Sequence, residues 1–125
     1  MDLTLDRPGD HLYVRAVDSS GIRVGDRLHV RAILLSRQEL IEGWPVTTVG
    51  DLDADRIEAI LRLEPEIVLL GTGPRQVFPD PQFLMLFYSR GIGVEVMSTA
   101  AACRTFNVLV TEGRKVVAAL LPLNP

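Results

Sequence analysis

The chain has 125 residues, of which 47% are hydrophobic and 23% are charged, a balance typical of one globular domain and not of a disordered or fibrous chain. Its formal net charge is −3 and no run of Lys or Arg exceeds two residues, so we expect no nucleic-acid partner. A single cysteine, Cys103, excludes an internal disulfide framework and any metal site built from several cysteines.

The sequence predicts neither a signal peptide nor a membrane span. The first ten residues, MDLTLDRPGD, carry two acids before the first arginine and contain no apolar stretch of secretory length. The longest apolar stretches, such as VVAALL at 116–121, are far shorter than the ~20 residues that a spanning helix needs. We therefore expect a soluble, cytoplasmic protein.

The first third of the chain predicts an antiparallel meander of three strands. Apolar and polar residues alternate in HLYVRAV (11–17), and a DSSG turn leads into IRV (22–24). Gly25 and Asp26 mark a second turn, after which RLHVRAILL (27–35) reads as one strand. The two histidines of these strands fall on the polar faces, so we interpret both as surface residues: His11 and His29.

The pattern then changes to helices that alternate with buried strands. Asp53 can cap a helix through ADRIEAILRL, which Pro65 ends. Strands that alternate with helices imply parallel pairs joined by crossovers, so the prediction is an α/β domain with an antiparallel N-terminal addition. The later elements are strands at EIVLLG, GVEVM and KVVAALL and helices at PQFLMLFYSR and TAAACRTFNVLVTEG.

A glycine turn follows the first of these strands. A dinucleotide-binding turn would need a third glycine three residues after Gly73, where the chain has Gln76, and Pro74 removes one backbone N–H. Backbone geometry is therefore the simpler explanation for Gly71-Thr72-Gly73. The turn still lies where open α/β sheets place ligands, so a small anion or a peptide group is an alternative occupant.

The last helix offers a second candidate for anion binding. Thr99 is a predicted N-cap, and Arg104 and Asn107 share a helix face. An arginine beside a helix N-terminus suits a carboxylate or phosphate; the alternative is that Arg104 pairs with an acid of this chain. The predicted ligand pocket comprises Gly71, Thr72, Gly73, Thr99, Arg104 and Asn107.

No spacing of residues requires an enzyme, a metal or a cofactor. Cys103 falls on the apolar stripe of the last helix, which predicts a buried and inert thiol. Asp51, Asp53 and Asp55 lack the glycine and glutamate of a calcium loop, and we interpret them as helix caps and dipole partners.

The segment FLMLF (83–87) predicts an apolar helix with too many faces for one contact. Phe83, Leu86 and Phe87 form one stripe, and the opposite side must meet another layer, a second copy or a partner. Trp44 could cover that side within the chain. The candidate interface comprises Trp44, Leu84, Met85 and Tyr88.

Four segments of the later half resemble a known family: LLGTG, QVFP, GIGVEVM and AACRTFNVLVTEGR. The chain is similar there to small Mth-type domains of unknown biochemical activity, whose mitochondrial relative serves as respiratory complex I assembly factor three. The likeness runs from about Trp44 to Leu123. The family stretch usually reads Arg-Thr-Tyr-Asn, whereas this chain has Phe106 for the tyrosine, and Ala100 stands where glycine is common.

The resemblance implies one three-layer domain over residues 1–125, with a mixed central sheet. It brings no catalytic residue and implies protein binding, with respiratory complex subunits or assembly factors as partners. Two alternatives remain: a small-ligand or enzymatic domain that uses the glycine turn and Arg104, and a homo-oligomeric scaffold.

Overall fold

The computed structural model describes residues 11–124, so the prediction about the signal peptide lies outside the described residues. The strands in this range are β1 (Val14–Asp18), β2 (Gly21–Val24), β3 (Arg27–His29), β4 (Ile33–Leu35), β5 (Leu40–Ile41), β6 (Ile67–Gly71), β7 (Gly93–Met97) and β8 (Val116–Leu120), and the helices are α1 (Ala54–Leu61), α2 (Pro81–Tyr88) and α3 (Thr99–Thr111).

The centre of the molecule is a five-stranded mixed sheet with the strand order β5-β4-β8-β6-β7. β6 is parallel to both β7 and β8, and β4 is antiparallel to both β8 and β5. The predicted parallel βαβαβ unit is therefore confirmed. Its middle strand in sequence, β7, lies at the edge of the sheet, and its last strand, β8, lies at the centre.

Two apolar cores sandwich this sheet and make the fold three-layered, as expected. One core joins α3 and the strands β1 and β2 to one face of the sheet, through residues such as Val14, Leu69 and Phe106. The other joins α1, α2 and the loop around Trp44 to the opposite face, through residues such as Phe87. Alternate residues of β6 and β8 point into the two cores because side chains alternate along a strand.

The antiparallel meander is confirmed, but as a separate sheet. β1, β2 and β3 pair in that order, and an irregularity in β1 between Val14 and Ala16 shifts the register. As a result Val14 and Val17 are buried, and the simple alternation predicted for HLYVRAV does not hold. A bulge of this kind lets one short strand turn two non-alternate side chains toward a core.

The prediction of one continuous strand for RLHVRAILL is wrong. β3 ends at His29 and the chain crosses to the central sheet, where β4 begins at Ile33. Leu28 and Val30, which the alternation placed on a buried face, are exposed. All three residues of β4 are buried because a strand inside the central sheet has a core on each face. The short strand β5 was not predicted.

The interpretation of His29 as a surface residue is also wrong, since the residue is only 7% exposed. Its Nδ1 lies 3.2 Å from Oε1 of Glu42, which also lies 3.2 Å from the guanidinium of Arg27. Glu42 follows β5, so this cluster joins the meander to the central sheet. The sequence did not reveal the pair because His29 ends β3 of the meander, whereas Glu42 follows β5 of the central sheet.

The helices begin where the capping signals predicted, with one exception. The Asp53 carboxylate accepts a hydrogen bond from the backbone N–H of Arg56 at the start of α1, and Asp80 accepts one from Gln82 at the start of α2. The exception is α3, whose cap is Ser98 and not Thr99. Within residues 11–124 no helix is long and apolar enough to cross a membrane.

Candidate functional site

The backbone of the glycine turn is hydrogen-bonded to the protein itself. The N–H of Thr72 donates to the carbonyl of Met97, and the carbonyl of Gly71 accepts from the N–H of Leu121. The carbonyl of Gly73 accepts from the N–H of Thr99. An anion-binding turn needs free N–H groups that point outward, whereas these groups point toward neighbouring strands and α3.

Thr99 is the hydroxyl that completes this network. Its Oγ1 accepts a hydrogen bond from the N–H of Gly73 at 2.8 Å and donates one to the carbonyl of Leu121 at 2.7 Å. The side chain is fully buried. Because a hydroxyl has one proton to donate, its donation to Leu121 leaves none for a ligand, so Thr99 acts as an internal connector.

The two glycines are required for different geometric reasons. A Cβ on Gly71 would lie 2.9 Å from the Cα of Thr99, a distance that real Cβ atoms do not adopt, so the absence of a side chain lets β6 approach the start of α3. Gly73 has a φ of 102°, in the region that favours glycine. Both roles belong to packing and chain direction.

Thr72 organises the loop that follows the turn. Its Oγ1 lies 2.6 Å from the carbonyl oxygen of Arg75 and 3.1 Å from that of Met97, and it accepts from the N–H of Val77 at 3.0 Å. The hydroxyl is thus used within the protein, like that of Thr99.

Asn107 is engaged away from the turn. It lies eight residues beyond Thr99, which corresponds to ~12 Å along a helix. Its side-chain amide pairs with both the N–H and the carbonyl of Val14, at 2.8 Å each, so Asn107 fastens α3 to β1. Arg104 is exposed on α3. The placement of Asn107 in the pocket is therefore wrong, and the grouping of Arg104 with the turn stays a prediction.

Cys103 is a buried free thiol, as its place on the apolar stripe predicted. Burial raises its pKa to about 12, so the thiolate that a nucleophile requires is not formed near neutral pH. Hydrogen bonds lower the pKa of three exposed carboxyl groups: a Ser20 hydroxyl acts chiefly on Asp18, the Thr47 N–H on Asp51 and the Lys115 N–H on Glu66. An acid so stabilised in its charged form is unsuited to donate a proton.

The largest apolar side chains that remain exposed lie on and beside α2. Met85 is 58% exposed and Phe78, just before the helix, is 67% exposed. Leu86 and Tyr88 are also exposed, whereas Leu84 is half-buried and packs against the core. The prediction thus exchanged Leu84 and Leu86. We use the term α2 surface for Phe78, Met85, Leu86 and Tyr88.

One residue of the candidate interface, Trp44, and one residue of the α2 surface, Phe78, were misjudged from sequence. Trp44 is 4% exposed, and its indole N–H donates to the carbonyl of Arg56 at 3.1 Å, so it is a core residue. Phe78 was missed. QVFP alone does not indicate its exposure, since Trp44 also precedes a proline outside any helix or strand and is buried.

Two adjoining depressions lie away from the turn, beside the C-terminal segment. One, of about 530 Å³, is lined by residues that include Arg31, Trp44 and Pro122. The other, of about 240 Å³, is lined by residues that include His29 and Pro122. Among residues 11–124 no cluster of three or more His, Cys, Asp or Glu side chains could hold a metal ion.

The internal role of Thr99 predicts the effect of two substitutions. Thr99→Val keeps the shape but leaves the Gly73 N–H and the Leu121 carbonyl without a partner, which should lower the free energy of unfolding by about 2–4 kcal/mol. Thr99→Ser keeps the hydroxyl and loses only a methyl group, at a cost of about 1 kcal/mol. Urea denaturation followed by fluorescence of Trp44, the single tryptophan, measures both. Equal losses for the two variants would contradict the connector role.

The buried thiol predicts slow alkylation of the folded protein. At about pH 8.5 a free cysteine is half ionised, whereas Cys103, with a pKa of about 12, should react with iodoacetamide roughly a thousandfold more slowly. Mass spectrometry at successive times gives the rate, and the same reaction in urea is the control. A folded protein that reacts as fast as the unfolded one would show that the thiol is accessible.

Known proteins resemble this chain over most of its length. Residues 14–121 match the model of a family described as a protein of unknown function (DUF498/DUF598). NADH dehydrogenase (ubiquinone) 1 alpha subcomplex assembly factor 3 of Mus musculus is 37% identical over 114 residues, which cover 89% of this chain and 60% of that protein. This chain therefore spans less than two thirds of that curated relative.

Solved structures support the same assignment. The NMR structure of a Xanthomonas campestris protein is 40% identical, with a TM-score of 0.83 and coverage of 98% of this chain and 93% of that one. A Bordetella pertussis protein described as a Mth938-like domain is 30% identical, with a TM-score of 0.82 and coverage of 99% and 94%. The chain belongs to the DUF498/DUF598 family and has the Mth938-like fold.

Proposed function

We propose that this protein is a non-enzymatic protein-binding module that acts through the α2 surface. The observation that carries the proposal is the exposure of four large apolar side chains on and beside one helix, with Phe78 and Met85 each more than half exposed. Burial of such a side chain contributes about 1.5–3 kcal/mol. A contact that covers them would therefore gain several kcal/mol, which favours a polypeptide partner with an apolar surface of its own.

The internal hydrogen bonds of the glycine turn weigh against the alternative of a small-ligand or enzymatic domain at that place. The hydroxyls of Thr72 and Thr99 and the turn's backbone groups already have protein partners. The Asn107 amide is also occupied, by Val14. A ligand there would have to replace these bonds, and each buried group left unpaired costs about 1–3 kcal/mol.

We further propose that the partners belong to the assembly pathway of a respiratory complex I. This step rests on the name of the Mus musculus relative, an NADH dehydrogenase assembly factor. This chain corresponds to 60% of that relative's length, and the aligned portion includes the turn, α2 and α3. We propose that the protein meets its partners in the cytoplasm.

Met85→Glu tests the α2 surface directly. The charge should lower partner binding at least tenfold, or about 1.4 kcal/mol, because it must be desolvated in an apolar contact. The free energy of unfolding should change by less than about 0.5 kcal/mol, since the side chain is exposed. Val108→Glu is the matched control, because Val108 is 56% exposed on α3, in the opposite layer.

The measurement is made in the native host. Tagged wild-type protein, Met85→Glu and Val108→Glu replace the chromosomal copy, captured proteins are identified, and NADH:quinone oxidoreductase activity is assayed in membranes. We expect complex I subunits or assembly factors with the wild type and Val108→Glu, and their loss with Met85→Glu. Normal activity in a deletion strain, with no complex I protein captured, would contradict the assembly role. A lower oligomer mass for Met85→Glu would instead indicate self-association.

A further inference from the structure

The outer edge of β7 directs backbone groups away from the central sheet. β7 is the terminal strand of the central sheet. The N–H of Gly93 donates to the carbonyl of Glu66, and the carbonyl of Met97 accepts from the N–H of Thr72. Residues at odd positions of β7 therefore direct their backbone N–H and carbonyl groups toward β6. Because backbone direction alternates along a strand, Val94 and Val96 direct their N–H and carbonyl groups away from the sheet.

Among residues 11–124, side chains cover the outward carbonyls of this edge and make no hydrogen bond with its N–H groups. The Gln76 amide donates to the carbonyl of Val96 at 2.9 Å, and the Tyr88 hydroxyl lies 3.5 Å from the carbonyl of Val94. Both bonds confirm the outward direction of these groups. An incoming strand would replace these hydrogen bonds with equivalent ones of its own. It would also accept hydrogen bonds from the two N–H groups, which lie one two-residue repeat apart, or ~6.6 Å.

The edge is continuous with the α2 surface. Tyr88 contributes to both, since its ring is exposed and its hydroxyl reaches β7. Val94 and Val96 pack on the core that contains α2, whereas Met97 packs on the core that contains α3. By alternation Glu95 therefore lies on the α3 side of the strand, and it is exposed. A strand added to this edge would meet apolar groups on one face and a carboxylate on the other.

Glu95 disfavours a second copy of this chain as the occupant. If β7 paired antiparallel with β7 of a second copy over its whole length, Glu95 would lie at the centre of the pairing. The two carboxylates would then be directly opposite, in a pair whose Cα atoms are ~4.5 Å apart, and like charges there are destabilising. A basic residue at the same place is stabilising. The charge of the edge thus favours a different polypeptide.

We propose that β7 binds an extended segment of a partner polypeptide by strand addition, and that this segment carries Lys or Arg opposite Glu95 and apolar residues toward the α2 surface. The inference rests on the proposed protein-binding function and specifies its mode and its partner's chemistry. Main-chain hydrogen bonds to Val94 and Val96 supply affinity, and alternate side chains supply specificity.

The test uses a short synthetic peptide in which lysine alternates with valine, added to the 15N-labelled protein. Strand addition should slow amide exchange of Val94 and Val96 at least tenfold at saturation and leave Glu95, already bonded to β6, unchanged. A peptide of the same composition with its lysines grouped at one end controls for net charge, and one with glutamate for lysine should bind at least tenfold more weakly.

Two variants separate the backbone from the side chain. Val94→Pro removes the outward N–H, which an edge strand tolerates, and should weaken peptide binding at least tenfold, whereas Val94→Ala keeps the N–H and should weaken it less. The exchange measurement on the wild type stands independently if Val94→Pro does not fold. Exchange protection elsewhere, no binding at millimolar peptide, or equal binding by the two variants would overturn the proposal.

A second copy as occupant is tested by light scattering of the wild type and of Val94→Pro. A wild-type dimer that Val94→Pro converts to a monomer would overturn the choice of a different polypeptide. Failure of the peptide test, with complex I proteins still lost from Met85→Glu, would leave the binding function intact and remove only strand addition. Peptide binding at β7, together with normal complex I in the deletion strain, would remove the assembly role and leave the edge site.

Discussion

The hydroxyl of Thr99 joins three parts of the chain that are distant in sequence. It connects the turn after β6, the first residue of α3 and the residue after β8 through two short hydrogen bonds. Gly71 allows this contact because any larger residue would collide with the backbone at Thr99. The place where open α/β sheets usually admit a ligand is therefore closed by the protein's own groups.

The later half of the fold was predictable from sequence because local and global signals agree there. Each helix from α1 onward begins at a capping residue, and each strand is a short apolar run between turn signals. The first half was less predictable because residues 27–35 contribute to two sheets, and a period of two does not reveal where a strand changes partner. His29 illustrates this, since its ring lies 3.2 Å from Glu42, which follows a strand of the other sheet.

The candidate site was only partly predictable, for a related reason. The sequence placed Thr99 near the glycine turn correctly, because parallel strands end at one edge. It could not show that the hydroxyl is oriented inward, since the acceptor on Leu121 follows a strand whose neighbours were not deducible. Asn107 likewise shares a helix with Arg104, but its amide is occupied by a strand of the other sheet. The exposure of Met85 was predictable from periodicity alone, and that of Leu86 was not.

Two adjoining surfaces would give the proposed binding role its specificity. The α2 surface and the outer edge of β7 adjoin through Tyr88, so apolar contact and backbone hydrogen bonding are available to one partner. Gln76 and Tyr88 also occupy carbonyls that would otherwise template nonspecific strand pairing. A partner has to displace these two side chains, so binding requires a segment whose own hydrogen bonds and contacts are more favourable than those it replaces.

The central position of β8 has a consequence for biosynthesis. β4 and β6 both pair with β8 and do not pair with each other. Until residues 116–120 leave the ribosome, the nascent chain therefore exposes two apolar strands with open edges. Such intermediates associate readily, so the pairing of β8 with both neighbours is the step that closes the central sheet and ends this exposure.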